Sequence, residues 1–406
     1  VIASAARRRA ARAVLLAAGL SLTVLSALRP PEWIRGPAEA YVWAARRVAR
    51  GELTVRAYDD AWVSAEVGKM TGGRVRDILS PTPPTLPVLM QPLVRAEERL
   101  LTPAWTAVNV GALAASVILL APARSWPIAI VTWILALGAV SATTALRENL
   151  ARGQVYAPML LFASMLVRGL RDDRPRLAGL GAGLLVLTKL SGWPVWVLLG
   201  WTRSLHALTT AAIVAAAGLL VSLLVAGIQV WVEYVWRVVP RWLDTPKAAV
   251  PAYQTIGGFF ERLLRYDEVW NQAPVANLPW LATALTVASA TALVLLIVRR
   301  APSIGLPAAA ASAILSGVLL SPVAEQYHYL LAVPAAAVAL EAWLARPTVT
   351  VTIAIAASLA LLFAPLPFKE WGASSAPLSY VIAYPRVWGG LGLVTLVLWR
   401  SAHDDD

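Results

Sequence analysis

The sequence predicts an all-α polytopic membrane protein, a single bundle of about twelve transmembrane helices with its unusual polar residues in loops on one side. Three observations predict it. Of the 406 residues 58% are hydrophobic and only 14% are charged. The mean hydropathy is +0.65, a value at which a soluble globule of this length has no interior large enough for its apolar surface. Apolar runs also recur along nearly the whole chain, separated by short basic loops.

A crossing takes about 20 apolar residues, fewer inside a bundle. The first run, 10 to 28, follows Arg7, Arg8, Arg9 and Arg12 and reads as a signal anchor that holds the N-terminus in the cytoplasm. Further crossings are expected near 103 to 122, 126 to 145, 154 to 169, 176 to 188, 192 to 203, 205 to 227, 279 to 298, 304 to 321, 326 to 345, 348 to 365 and 384 to 401. Alternate threading puts Arg124, the Arg168 to Arg176 cluster, Arg299, Arg300, Arg346 and the C-terminus inside. It leaves four polar stretches outside: 30 to 100, Arg147 to Gln154, 228 to 277 and 366 to 383. The whole chain, 1–406, reads as one domain, with surface helices expected in the outer loop 30–100 and a substrate-binding role in the outer loop 228–277.

Within this frame, 84 to 98 is too polar at its end for a crossing and reads as a surface or re-entrant element. The stretch 176 to 203 must cross twice around the break Lys189-Leu190-Ser191-Gly192-Trp193-Pro194, and short helices meeting at a polar break line cavities. Trp126, Trp201, Trp280 and Trp343 near run ends fit interfacial belts. The net charge of +12 is scattered beside apolar runs, a positive-inside pattern that discounts nucleic acid as a partner. With no cysteine there is neither a disulfide framework nor a thiolate metal site, and three histidines do not form a metal cluster.

Few residues are placed to carry chemistry. Asp59 and Asp60 open a segment, Asp60 to Gly68, that can form a helix on the outer surface, where an aspartate serves equally as helix cap or as catalytic base. Arg147, Glu148, Asn149, Arg152 and Gln154 gather between two apolar runs, either as a solvated loop or as a site for a lipid phosphate. Lys189 lies at a helix break in an apolar bundle, where an unpaired ammonium costs at least a few kcal/mol, so it calls for a carboxylate or a ligand phosphate. His328, in Ser321-Pro322-Val323-Ala324-Glu325-Gln326-Tyr327-His328-Tyr329, stands at the outer start of a crossing, as an interfacial anchor or in a pocket mouth.

Taken in order, four segments resemble glycosyltransferase family 87 of the GT-C superfamily. They are the acidic residue before a surface helix with Thr82-Pro83-Pro84 beyond it; Gly153-Gln154-Val155-Tyr156 with Ala178 to Leu184 and Thr188 to Pro194; Glu233-Tyr234 to Pro240 with Gln254-Thr255 and Arg262; and Leu320-Ser321-Pro322 to His328-Tyr329. Tyr156 and Tyr253 stand where the family has Asn, Tyr327 replaces a His, and the Pro-rich stretch lacks the family's Tyr.

The resemblance implies a GT-C-type bundle with its active site on extracytoplasmic loops in a bacterial inner membrane. It also implies an inverting transfer of a sugar, mannose first, from a polyprenyl-phosphate donor to a lipid or glycan acceptor. Asp60 is then the expected base, with Asp59 the alternative and His328 assisting; Arg147, Lys189, Gln154 and Arg262 hold the donor phosphate, while Tyr58, Gln254, Glu325 and Tyr327 contact sugar or acceptor. Such a site needs no metal and no cofactor. A secondary transporter is the competing reading, since many crossings, broken helices and a buried lysine also describe one.

Overall fold

The computed structural model describes residues 36–95, 97–121, 136–372 and 377–399. The expected first crossing, the first half of the expected crossing 126 to 145, Arg124, Trp126 and the C-terminal tail lie outside them. Among the described residues every named element is a helix.

In the stretch 30–100, the outer loop of the expected threading, the described residues form α1 (Glu39–Ala49) and α2 (Asp60–Met70), followed by the short α3 (Thr85–Leu89). Asp59 caps α2, its Oδ1 accepting the Trp62 N–H at 3.0 Å, so the acidic pair has the capping role its position allows. The run from 84 to 98 breaks into α3 and a second short helix, Gln91–Val94, as its Pro87, Pro92 and charged end require. Next come α4 (Glu98–Leu120), α5 (Thr144–Ala151), α6 (Tyr156–Arg171) and α7 (Pro175–Thr188). The expected outer turn at Arg147 is therefore mostly helix: Thr143 caps α5 by accepting the Leu146 N–H at 3.2 Å, and Ala, Leu, Arg and Glu extend it.

The longer helices that follow are α8 (Trp193–Trp201), α9 (Leu205–Ala226), α10 (Ile256–Leu264), α11 (Pro279–Ile304), α12 (Leu306–Leu319), α13 (Val333–Ala345), α14 (Val349–Phe363) and α15 (Pro385–Trp399); shorter ones lie in 228–243 and 368–382. Among the described residues four stretches are long and apolar enough to cross a membrane: α4, α9, α11, and α13 with the 3₁₀ turn before it. Four further helices, α7, α12, α14 and α15, are apolar but shorter.

Helices in lipid gain little by hiding leucine from an equally apolar solvent, so close packing through small residues holds them together. That is the sequence logic of α12, whose Ala-Ala-Ala-Ser-Ala-Ile-Leu-Ser-Gly stretch is buried throughout and packs against α6, α8, α11 and α15. In α7, Gly179 and Gly183 face α9 while Gly181 faces α6; side chains there would collide with Ala207 O, Val214 and Phe162 O, so glycine allows α7 close approach on both sides. The outward helices are leucine-rich instead: on α9, Leu224 is 77% and Ile213 63% exposed. Trp201 and Trp280 are exposed as expected of interfacial anchors, whereas Trp343 is buried and donates to Thr352 Oγ1 at 2.7 Å, a packing role rather than a belt one.

Candidate active site

The break after α7 organises the site. Lys189 has an extended backbone (φ −155°, ψ 145°), which ends the helix; a single 3₁₀ turn, Leu190–Gly192, follows, and Pro194 opens α8 at a position that needs no N–H donor. The end of a helix leaves carbonyls without partners. Thr85 on α3 donates to one of them, Leu187 O, and so pins the Pro-rich stretch of the outer loop to the break.

Lys189 is partly exposed, with Nζ 5.9 Å from the ring centre of Tyr41 and 5.6 Å from that of Tyr156. Aromatic faces stabilise a cation without neutralising it. Among the described residues Lys189 has no ion pair; Asp77 and Glu325 are the carboxylates that act on it through space. Tyr41 donates to Gln154 Oε1 at 2.7 Å, and Tyr156 stacks on His328 (centroids 4.4 Å apart), which stacks in turn on Tyr327 (4.6 Å). Cation, amide, imidazole and three phenols thus form one assembly between outer loop and bundle.

Gln154 is set by Gly153, whose φ of +61° belongs to the left-handed region and whose missing Cβ leaves room for the backbone of residues 36–38. Gly153 O accepts the Ala38 N–H at 2.9 Å, so the turn after α5 docks on the chain entering α1. His328 is set by a reciprocal cap: Glu325 side chain accepts the His328 N–H, and His328 Nδ1 accepts the Glu325 N–H at 3.1 Å. With Nδ1 an acceptor, the neutral ring carries its proton on Nε2, which makes His328 a hydrogen-bond donor there. Glu325 is held by Arg152 (3.3 Å), itself paired with Glu148 at 3.0 Å.

Asp77 faces the same assembly from the outer loop. Its Oδ2 accepts the Ala40 N–H at 3.1 Å, one residue before Tyr41, and its Oδ1 accepts the Ile78 N–H at 2.9 Å. Burial raises its pKa above the ordinary carboxylate value, with Glu39 adding to the rise, while the two N–H groups and Lys189 oppose it. Burial and the Asp77 charge likewise push the Tyr41 hydroxyl up, which keeps it a donor.

The expected site residues therefore divide. Gln154, Lys189, Glu325, Tyr327 and His328 come together. Asp59 is exposed and engaged as the α2 cap. Asp60 accepts from Ser80 Oγ and pairs with Arg241 at 3.3 Å, joining the outer loop to the 228–277 loop. Tyr58 is buried, its ring tilted against that of Tyr234 and its hydroxyl donating to Thr82 O at 2.9 Å. Arg147 lies partly buried on α5. Arg262 donates to Gly372 O and covers the Tyr380 ring at 5.3 Å. Gln254 is fully buried; its amide donates to Pro251 O (2.6 Å) and Ala383 O (2.7 Å), and its Oε1 accepts the Arg386 N–H at 3.1 Å. Those last two residues act as struts between loops.

Sequence reasoning passed over Tyr41 and Asp77, and it gathered Arg152 with its neighbours without giving it a role of its own. Tyr41 sits in an alanine-rich helix, and Asp77 ends the run Arg74-Val75-Arg76-Asp77, which reads as solvated charge. The available signal was position: Asp77 directly precedes the turn into Pro81-Thr82-Pro83-Pro84.

Fold and site together define a helical membrane protein with a cationic, aromatic-walled polar junction at the edge of its bundle. A model of glycosyltransferase family 87 matches residues 82–322, more than half of the chain, and the chain belongs to that family. It is a membrane glycosyltransferase. No curated protein and no solved structure matches the chain.

Proposed function

We propose that this glycosyltransferase moves a hexose, mannose foremost, from a polyprenyl-phosphate donor to a lipid or glycan acceptor. The transfer takes place at the extracytoplasmic face of a multi-pass bacterial inner-membrane bundle, with inversion at the anomeric carbon. The observation that carries this reading is Lys189: a cation without a paired carboxylate among the described residues, held between Tyr41 and Tyr156 beside the His328 and Gln154 side chains. A phosphate seated there meets an ammonium and the Nε2 proton of His328, and charge-assisted bonds strengthen as charge develops on the leaving oxygen.

A polyprenyl donor fits the setting, because its chain lies in lipid while its phosphate reaches the outer end of a short helix. The negative charge that leaves is balanced by side chains of the protein, so neither metal nor cofactor is called for. Glu325 and Tyr327, beside that position, are the sugar- and acceptor-contacting groups of this reading. No observation favours a secondary transporter.

The test is transfer in membranes containing the full chain and a crude lipid extract, given either polyprenyl-phosphate mannose or nucleotide-activated mannose, with products read by mass. Hexose addition with the polyprenyl donor and release of polyprenyl phosphate is the expected result. Transfer from the nucleotide donor alone would overturn the assignment of the donor.

A further inference from the structure

We propose that Asp77, rather than Asp60 or Asp59, is the base that takes the proton of the acceptor hydroxyl; this rests on the transferase reading above. The carboxylates near the junction differ in how far their oxygens are already engaged. Asp59 is spent on the α2 cap, and Asp60 is bound to Ser80 and Arg241 on the flank of the outer loop. Glu325 is paired with Arg152 and caps the turn that carries His328. Asp77 has no cationic partner within ion-pair distance among the described residues, and its two recorded hydrogen bonds come from backbone N–H groups, one to each oxygen. Each oxygen therefore keeps lone-pair capacity for a hydroxyl.

Its placement suits the task. Asp77 grips α1 at Ala40, and the next residue, Tyr41, lies under the Lys189 ammonium and reaches Gln154. Carboxylate and ammonium thus meet α1 at neighbouring residues, Asp77 at Ala40 from the outer loop and Lys189 at Tyr41 from the helix break, and they act on one another electrostatically. That is the separation of charge a displacement needs: a base on the side of the incoming oxygen and a cation on the side of the departing phosphate. In the step, the acceptor oxygen bonds to the anomeric carbon as its proton passes to Asp77. The bond from that carbon to the phosphate oxygen breaks, and its electron pair leaves with polyprenyl phosphate; nothing is oxidised or reduced.

A purely structural role for Asp77, tethering the start of α1, is the alternative, and the experiment separates the two. The full chain in lipid nanodiscs, wild type, Asp77→Asn and Asp60→Asn, is assayed for transfer from polyprenyl-phosphate mannose across pH and, separately, for binding of polyprenyl phosphate. Expected are a loss of transfer of at least about 100-fold in Asp77→Asn, unchanged polyprenyl-phosphate binding, and a smaller loss in Asp60→Asn. The wild-type rate should rise with pH along an acid limb set above the ordinary carboxylate pKa, and that limb should be absent from the residual activity of Asp77→Asn. Burial sets its position first and Glu39 of α1 raises it further, while the Ala40 and Ile78 N–H groups and Lys189 from the break oppose the rise; the Tyr41 hydroxyl is the other titratable group that interacts with Asp77.

Equal losses of transfer and of polyprenyl-phosphate binding in Asp77→Asn would reduce Asp77 to a tether and overturn the proposal. So would full activity in Asp77→Asn beside an inactive Asp60→Asn. A wild type that transfers no sugar from any polyprenyl-phosphate donor would instead overturn the donor reading, and the base with it.

Discussion

At the scale of single residues, the side chains of this molecule divide by whether the backbone has already claimed their polar atoms. Gln254 has two carbonyls and one N–H on its amide and is fully buried, so it ties the 251–254 turn to the start of α15. Gln254→Ala leaves those backbone groups unpaired at about 1–3 kcal/mol each. A clear fall in the thermal midpoint of the detergent-solubilised protein is expected, with a Gln254→Glu variant falling as well because its carboxylate cannot donate. The same accounting explains which site residues were legible in the sequence. Lys189 was, because an ammonium at a break in an apolar bundle demands an explanation by itself. Gln254 and Arg262 carry the right chemistry in suggestive positions, but sequence does not reveal that Ala383 O and Gly372 O, more than 100 residues away, have taken their protons. Asp77 was hidden for the opposite reason, since a charge among arginines in a polar loop looks solvated until α1 folds against it.

At the scale of elements, the break between α7 and α8 is the feature that makes a site, and its shape is imposed by a neighbour. Gly317 of α12 lies against the carbonyl of Ser191 so closely that a methyl group there would overlap Ser191 O. Gly317→Ala must push the 3₁₀ turn off α12 or shift α12 itself, and either moves Lys189 relative to Tyr41 and Tyr156. Transfer should fall about tenfold or more while the protein stays folded, because small displacements of a positioning group are costly to rate; unchanged transfer would show that the turn adapts. The break was legible in the sequence as Lys-Leu-Ser-Gly-Trp-Pro, as were the boundaries of most apolar helices, because proline, glycine and charge punctuate them. The helix around Arg147 was less so: six of its eight residues are strong helix formers, but the charged cluster reads as a turn without the Thr143 cap and the packing of α5 on the turn after Glu325.

At the scale of the whole molecule, the loops 30–100 and 228–277 are joined by Asp60 to Arg241 and by Tyr234 to Pro81 O at 3.2 Å. The orientation proposed here puts those loops outside and the turn between α6 and α7 inside. The chain has no cysteine, so single introduced cysteines report sidedness without background. Arg74→Cys, in the outer loop, should react with a membrane-impermeant maleimide in intact cells, and Arg174→Cys should react only after lysis; the reverse pattern would invert the bundle. The all-helical membrane class was evident from hydropathy alone, whereas the joining of distant loops was not, since ion pairs across 181 residues leave no periodic trace.

The central claim is that the junction at Lys189 holds the donor phosphate of a glycosyl transfer, and the most direct test is Lys189→Met against wild type in nanodiscs, measuring both transfer from polyprenyl-phosphate mannose and affinity for polyprenyl phosphate. Methionine keeps the length and packing of the side chain and removes its charge. The account expects transfer to fall by about 100-fold or more, with polyprenyl-phosphate affinity falling in the same variant and partial recovery of both in Lys189→Arg. Wild-type transfer and affinity in Lys189→Met would contradict it.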